Sequence, residues 1–149
     1  MTTFEEILAR DGRLVYKTKG VSMLPLLHQE RDLVVIEVPK GRLKKYDVAL
    51  YKRGDNTVLH RVIHVKDNFY EIRGDNTYYL EKVPDSAVIG VLTSFVRKGK
   101  RTKATNPLYK CYVRIWNLLY PLRAIYVRGR RFLGKLLRST KAGQRLRNK

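Results

Sequence analysis

Ser22 and the three histidines are the residues of this 149-residue chain that could support nucleophilic chemistry. Ser22 lies two residues after Gly20, where the backbone can turn sharply and expose the hydroxyl. A serine hydroxyl is a weak nucleophile unless a base lies within hydrogen-bonding distance. The candidate bases are therefore His28, His60 and His64.

Two of these histidines lie in one predicted strand. Residues 57–65 alternate so that His60 and His64 share one face with Val58 and Val62. At about 3.3 Å per residue the two histidines stand roughly 13 Å apart, so only one of them can meet Ser22. The alternation alone does not choose between them.

The order of several short motifs resembles the signal peptidase I family of serine peptidases. The similarity covers residues 17–96, and histidine stands where the bacterial enzymes of this family carry lysine. In this respect the chain is similar to the branch found in archaea, the endoplasmic reticulum and some Gram-positive bacteria. The motifs are Ser22-Met23-x-Pro25, two strands opened by Asp32 and Asp47, His60-Arg61-Val62-Ile63 and Gly74-Asp75-Asn76.

The resemblance implies a serine endopeptidase with Ser22 as nucleophile, His60 as general base and Asp75 as the acidic group near the histidine. A neutral imidazole can take the serine proton and return it to the leaving amine, by way of an acyl-enzyme. The Ser22 N–H would contribute to the oxyanion hole. Some members place a second donor, a serine hydroxyl, at the position of Gly20, and this chain lacks it. We expect neither a cofactor nor a metal ion.

The chain departs from that family in its expected location. The family is anchored by transmembrane helices, whereas this sequence shows no secretory signal and no apolar run near the roughly 20 residues that span a bilayer. We therefore expect a cytoplasmic protein with a peptide or protein substrate, and removal of signal peptides is in doubt. The related LexA-type repressors share the fold, but they use lysine as base and place a DNA-binding segment before the serine.

The elements that would position these residues are mostly strands. Thr3 and Glu6 form a capping-box pattern, which predicts a short amphipathic helix over residues 3–11. Short turns between the strands predict a mainly β domain with a strongly bent or barrel-like antiparallel sheet of the signal peptidase/LexA type. The apolar segments that predict strands are residues 33–38, 47–52, 57–65, 69–73 and 87–96.

Charge divides the chain into two parts. From Arg97 onward there are 17 of the 32 basic residues and none of the 13 acidic ones. Residues 1–96 thus carry a formal charge of +2 and residues 97–149 one of +17. We interpret residues 1–96 as the catalytic domain and residues 97–149 as a tail whose partner is anionic. The single cysteine, Cys111, cannot form an internal disulfide and is interpreted as a bystander.

Residues 108–138 of the tail repeat apolar positions at helical spacing, which predicts a basic amphipathic helix interrupted near Pro121. Its apolar positions include Leu122, Ile125, Tyr126, Phe132, Leu133, Leu136 and Leu137, and its basic positions Arg128, Arg131, Lys135 and Arg138. We expect peripheral contact with an anionic membrane. Nucleic acid is a less favoured partner, and packing of the helix on its own domain or on another protein stays open. An inactive peptidase fold that binds an anionic surface through this tail is the alternative function.

Overall fold

The computed structural model describes residues 3–127 and residue 129, so the predicted tail positions at 128 and 130–138 lie outside the described residues. The order of helices and strands along the chain is α1 (Phe4–Asp11), β1 (Arg13–Lys17), β2 (Leu33–Glu37), β3 (Val48–Arg53), β4 (Asn56–Val65), β5 (Phe69–Arg73), β6 (Glu81–Pro84), a 3-10 turn (Asp85–Ala87), β7 (Val88–Arg97), β8 (Lys100–Lys103) and α2 (Pro107–Leu118).

The eight strands form one antiparallel sheet in the order β1-β2-β7-β3-β4-β5-β6, with β8 paired to β7. The mainly β prediction is confirmed. The barrel-like form is wrong, because in the described part of the chain β1 pairs with β2 alone and β6 with β5 alone. These two strands are therefore edge strands of an open sheet, as is β8, which pairs with β7 alone.

Short-range sequence patterns predicted the first helix and five of the strands close to their observed positions. Thr3 caps α1 through a reciprocal pair of bonds, in which the Glu6 N–H donates to Thr3 Oγ1 at 3.2 Å and the Thr3 N–H to Glu6 Oε2 at 3.0 Å. Gly12 ends the helix in the left-handed conformation at φ 68°. The five predicted strands occur as β2, β3, β4, β5 and β7, each within about a residue of the predicted bounds.

Strands β3 and β4 lie in the interior of the sheet and are buried on both faces. Leu50 and Leu59 belong to one apolar cluster, whereas Tyr51 and Val62 belong to another. His60 pairs with Ala49 across the two strands, and Arg61 pairs with Val48. Ala49 and Val48 belong to different apolar clusters, and successive side chains of a strand point to opposite faces, so His60 and Arg61 point to opposite sides of the sheet.

The compact unit that contains the sheet extends through Val113, beyond the boundary predicted at residue 96. Residues 97–101, which begin the predicted tail, form the last residue of β7, the turn and the first two residues of β8. Tyr109 and Val113 of α2 are buried in the apolar cluster that also holds Phe95. The local excess of basic residues therefore does not mark the end of the fold.

The second unit begins at Arg114, and its described part is helical. A turn at Leu119 separates the end of α2 from helical residues 120–127. The turn lies two residues before Pro121, which has no backbone N–H to continue the ladder.

Candidate active site

The turn that carries Ser22 is anchored by apolar neighbours. Met23 and Leu27 are buried in the main apolar cluster, and the Leu27 N–H donates to the Met23 carbonyl at 3.0 Å. Gly20 has φ 81°, a conformation that favours glycine, and its N–H donates to Gln29 Oε1 at 3.0 Å. Ser22 itself is half-buried between these anchors.

The Gly74-Asp75-Asn76 segment binds the backbone on either side of the Val21–Ser22 bond. The Asn76 N–H donates to the Ser22 carbonyl at 2.7 Å, and Asn76 Nδ2 donates to the Val21 carbonyl at 3.2 Å. A Cβ atom at Gly74 would lie only 2.7 Å from the Ser22 carbonyl oxygen and 3.1 Å from His60 Nε2. Glycine is therefore required at position 74, because the Ser22 backbone and the His60 ring both pack against it.

The His60 ring is 3% exposed and has different surroundings at its two nitrogens. Nε2 lies on the side of Gly74 and Ser22. Nδ1 lies 3.2 Å from the Tyr51 hydroxyl and 3.4 Å from Glu81 Oε1. Since Nδ1 faces an oxygen-rich environment, an Nδ1–H tautomer would leave the Nε2 lone pair directed toward the serine turn.

Glu81 and Tyr51 form a small network behind the histidine. The Tyr51 hydroxyl donates to Glu81 Oε2 at 3.1 Å, and Arg53 Nη1 lies 3.2 Å from each oxygen of the same carboxylate. Burial, assisted by Glu81, raises the pKa of Tyr51, so the phenol stays protonated. Sequence reasoning missed both partners, because they come from β3 and β6 and carry no motif of their own.

The pKa of His60 is lowered from its ordinary value. Burial is the largest cause, and the Arg53 charge acts in the same direction, whereas Glu81 and Asp75 raise the pKa and oppose the shift in part. The imidazole is therefore neutral at neutral pH. A neutral imidazole is the form that a general base requires.

Ser22 and His60 both line one cavity of about 480 Å³. Residues 16–20 form one part of its wall, and Arg53 and Tyr79 form another. The volume is within the usual range for a ligand pocket, about 300–1,000 Å³. Thr18 lines the same cavity and is 6% exposed, and among the described residues its hydroxyl has no hydrogen-bond partner.

Asp75 lies close to this site, and its carboxylate binds Arg61. The two side chains form a bidentate pair, with 2.7 Å from Arg61 Nε to Asp75 Oδ1 and 2.7 Å from Nη2 to Oδ2. Arg61 also donates to the Tyr46 carbonyl and to the Tyr109 hydroxyl, each at 3.0 Å. Burial opposes the Arg61 charge, but Asp75 outweighs this effect and raises the pKa of Arg61, so the guanidinium stays protonated. From this position the negative charge of Asp75 acts on His60 and partly opposes the lowering of its pKa by burial.

The other two histidines lie in different surroundings. A register irregularity separates Val62 from His64 in the pairing of β4 with β5. His64 is exposed, and its Nδ1 lies 2.7 Å from Glu71 Oε2. His28 is half-buried, and its backbone N–H donates to Asp32 Oδ2 at 2.9 Å. Cys111 is a free, exposed thiol. Of the three histidines, only His60 lines the cavity with Ser22.

Searches for relatives of this chain give no assignment. No protein-family model matches the sequence, and no curated protein is significantly similar to it. The resemblance to the signal peptidase I family therefore depends on the short motifs alone.

Proposed function

We propose that this chain is a serine endopeptidase in which Ser22 is the nucleophile and His60 is the general base. The observation that carries the proposal is that Gly74 packs against both the Ser22 backbone and the His60 ring, beside one cavity that both residues line. A buried, neutral imidazole next to a serine turn supports nucleophilic catalysis. The substrate is a peptide or protein segment that enters the cavity.

In the proposed reaction His60 Nε2 accepts the Ser22 hydroxyl proton as the serine oxygen attacks the peptide carbonyl carbon. The carbonyl oxygen becomes an oxyanion, to which the Ser22 N–H donates. As the C–N bond breaks, His60 returns the proton to the leaving amine, and the acyl group stays on Ser22. Water then attacks the ester carbonyl carbon while His60 takes one proton of that water. As the bond between the acyl carbon and the Ser22 oxygen breaks, His60 returns this proton to the serine, and the carboxylic acid product leaves and loses its proton to solvent.

The groups at Nδ1 would stabilise the imidazolium that forms in each step. Glu81 supplies a carboxylate and Tyr51 supplies a hydroxyl at this nitrogen, and both hold the ring in one orientation. In this proposal Asp75 has a different part from the one the family resemblance implies. Its ion pair with Arg61 holds the Gly74–Asn76 segment, which in turn holds the Ser22 turn.

A peptide-library digestion followed by mass spectrometry tests the proposal on the full-length chain. We expect Ser22→Ala and His60→Ala each to lower kcat/KM by about 10³-fold or more, because both side chains act in one proton-transfer step. His64→Ala is the matched control, since it removes a histidine from the same strand, and we expect wild-type activity. Circular dichroism spectra like that of the wild type would show that the variants are folded.

Two results would count against the proposal. Cleavage that survives Ser22→Ala would exclude this serine as nucleophile. A folded wild-type chain that cleaves no member of the library would favour the alternative, an inactive peptidase fold that serves as a binding module.

A further inference from the structure

A row of exposed apolar side chains follows one side of the second unit. Leu118 is 77% exposed, Leu122 is 65% exposed, and Ile125 and Tyr126 are each 68% exposed. With Ile115 and Leu119 they recur every three or four residues, which is the spacing of a single helical face. We call these six residues the apolar face. A contiguous apolar surface of this kind marks an interaction site.

The apolar face is distinct from the less exposed side of the helix. Trp116, Asn117 and Tyr120 are half-buried, and Ala124 is buried. These residues occupy the positions between those of the apolar face. The helical segment therefore carries one shielded side and a second, apolar side that meets solvent.

Along the sequence, the segment that carries the apolar face has charges of a single sign. No acidic residue occurs after Asp85, whereas 17 basic residues occur from Arg97 onward. Within the described part Arg123 lies over the Trp116 ring, 3.5 Å from its guanidinium carbon to the ring centroid, and donates to the Trp116 carbonyl at 3.0 Å. An arginine held against a tryptophan keeps its charge, and both residue types are common where proteins meet lipid headgroups.

These two features together select one kind of partner. A second copy of the chain would bring two strongly basic segments together, which their repulsion opposes. Nucleic acid would satisfy the positive charge but leave Leu118, Leu122 and Ile125 in water. An anionic bilayer satisfies both, because its phosphates attract the cations and its acyl chains cover the apolar residues.

We propose that residues 115–126 lie in the headgroup region of an anionic membrane, with the apolar face toward the acyl chains. Among the described residues no helix is long and apolar enough to cross a bilayer, so the proposed contact is with one leaflet. Helices of this type lie in the interface plane and bury their apolar face about 5–10 Å into the boundary between headgroups and acyl chains. The attachment is independent of the peptidase chemistry and does not rest on it.

Co-sedimentation of the full-length protein with vesicles tests this contact. The vesicles contain phosphatidylserine and phosphatidylcholine, and vesicles of phosphatidylcholine alone serve as the reference. We expect the double variant Leu122→Glu/Ile125→Glu to bind the anionic vesicles at least tenfold more weakly than the wild type, because two buried aliphatic groups are replaced by charges. Val38→Glu is the matched control and should bind like the wild type, since Val38 is 48% exposed on the sheet unit.

Tryptophan fluorescence distinguishes insertion of the apolar face into the bilayer from electrostatic binding at the bilayer surface. Trp116 is the only tryptophan, so Trp116→Phe/Leu122→Trp places a single probe on the apolar face. We expect its emission to shift to shorter wavelength on anionic vesicles and to be quenched by lipids brominated on the acyl chains. Trp116→Phe/Val38→Trp should show neither change.

Three results would overturn the membrane proposal. The first is equal vesicle binding by the wild type and the double glutamate variant, which would indicate a purely electrostatic contact. The second is tight RNA binding by a chain that ignores anionic vesicles. The third is a dimer in solution that the glutamate variant converts to monomer, which would make the apolar face a contact between copies. Hydrolysis of a soluble peptide by the glutamate variant at the wild-type rate would show that the two functions are separate.

Discussion

His60 and Arg61 are neighbours in β4, yet they belong to two networks of opposite character. His60 faces a cavity, has a lowered pKa and contacts a hydroxyl and a carboxylate at one nitrogen. Arg61 is fully buried and holds Asp75 by two hydrogen bonds of 2.7 Å. The first network holds a histidine whose pKa is lowered, chiefly by burial, whereas the second holds an arginine whose pKa is raised because Asp75 outweighs the effect of burial.

The difference shows how one strand supports both a sealed ion pair and the candidate active site. The Arg61 pair is sealed from water and is satisfied by the Tyr46 carbonyl and the Tyr109 hydroxyl as well as by Asp75. The His60 side retains an open cavity and a buried Thr18 hydroxyl with no partner in the described protein. Unsatisfied polar groups of this kind are uncommon in the interior and are typical of sites where a ligand completes the bonding.

Removing one member of the buried Arg61–Asp75 pair should have the largest effect on stability. We expect Arg61→Met to lower the free energy of unfolding by about 3–5 kcal/mol, because it removes one partner of a buried ion pair and with it two short hydrogen bonds to the Asp75 carboxylate. Urea denaturation measures the change. The double variant Arg61→Met/Asp75→Leu should recover part of the loss, and Arg10→Met, which alters an exposed pair, should leave the midpoint unchanged. An Arg61→Met protein as stable as the wild type would show that the pair does not hold the fold.

Changing the Glu81 carboxylate beside His60 should affect activity rather than folding. We expect Glu81→Gln to lower kcat/KM by about 10²-fold, because the imidazolium formed during catalysis loses a negative partner while Tyr51 still binds the ring. Glu71→Gln is the matched control, since Glu71 pairs with the exposed His64, and it should leave kcat/KM unchanged. Equal effects of the two variants on kcat/KM would remove Glu81 from the catalytic network.

The pH dependence of hydrolysis should report the lowered pKa of His60. A base whose pKa lies below the ordinary value of about 6.5 is already neutral at pH 7, so kcat/KM should rise in the acidic range and reach a plateau before neutrality. Because Glu81 raises this pKa, Glu81→Gln should move the midpoint of the rise to lower pH. A rise that begins only above pH 7 would contradict the assignment of His60 as base.

The smallest expected effect concerns Thr18. Replacing its unpartnered hydroxyl by a methyl group in Thr18→Val should raise the free energy of unfolding by about 1 kcal/mol, because a buried polar group without a bond is removed. Thr77→Val provides the contrast, since the Thr77 hydroxyl donates to the Gly74 carbonyl at 3.2 Å and its loss should destabilise the protein. Urea denaturation of both variants measures the direction of each change in the free energy of unfolding. A loss of stability in Thr18→Val would mean that the Thr18 hydroxyl is hydrogen-bonded in solution.

Local patterns in the sequence determined much of the architecture. The capping residues Thr3 and Glu6 fixed the start of α1, and apolar segments bounded by turn residues marked β2, β3, β4, β5 and β7. Both signals depend on residues only a few positions apart, which is why they can be recognised without the fold. Strands β1, β6 and β8 escaped prediction because they are four or five residues long and rich in lysine, arginine or glutamate.

The candidate site was only partly determined in this way. The local sequence offered Ser22 as a candidate nucleophile and left His60 and His64 equivalent in β4. The motif resemblance was needed to favour Ser22 as nucleophile and His60 as base. The tertiary structure decided the surroundings of each histidine, because the bulge before His64 and the pairing of β4 with β3 and β5 are non-local. It also brought Glu81 and Tyr51 to His60 Nδ1 across 21 and nine residues of chain, and it directed Asp75 to Arg61. Such contacts depend on sheet register, which no short sequence window contains.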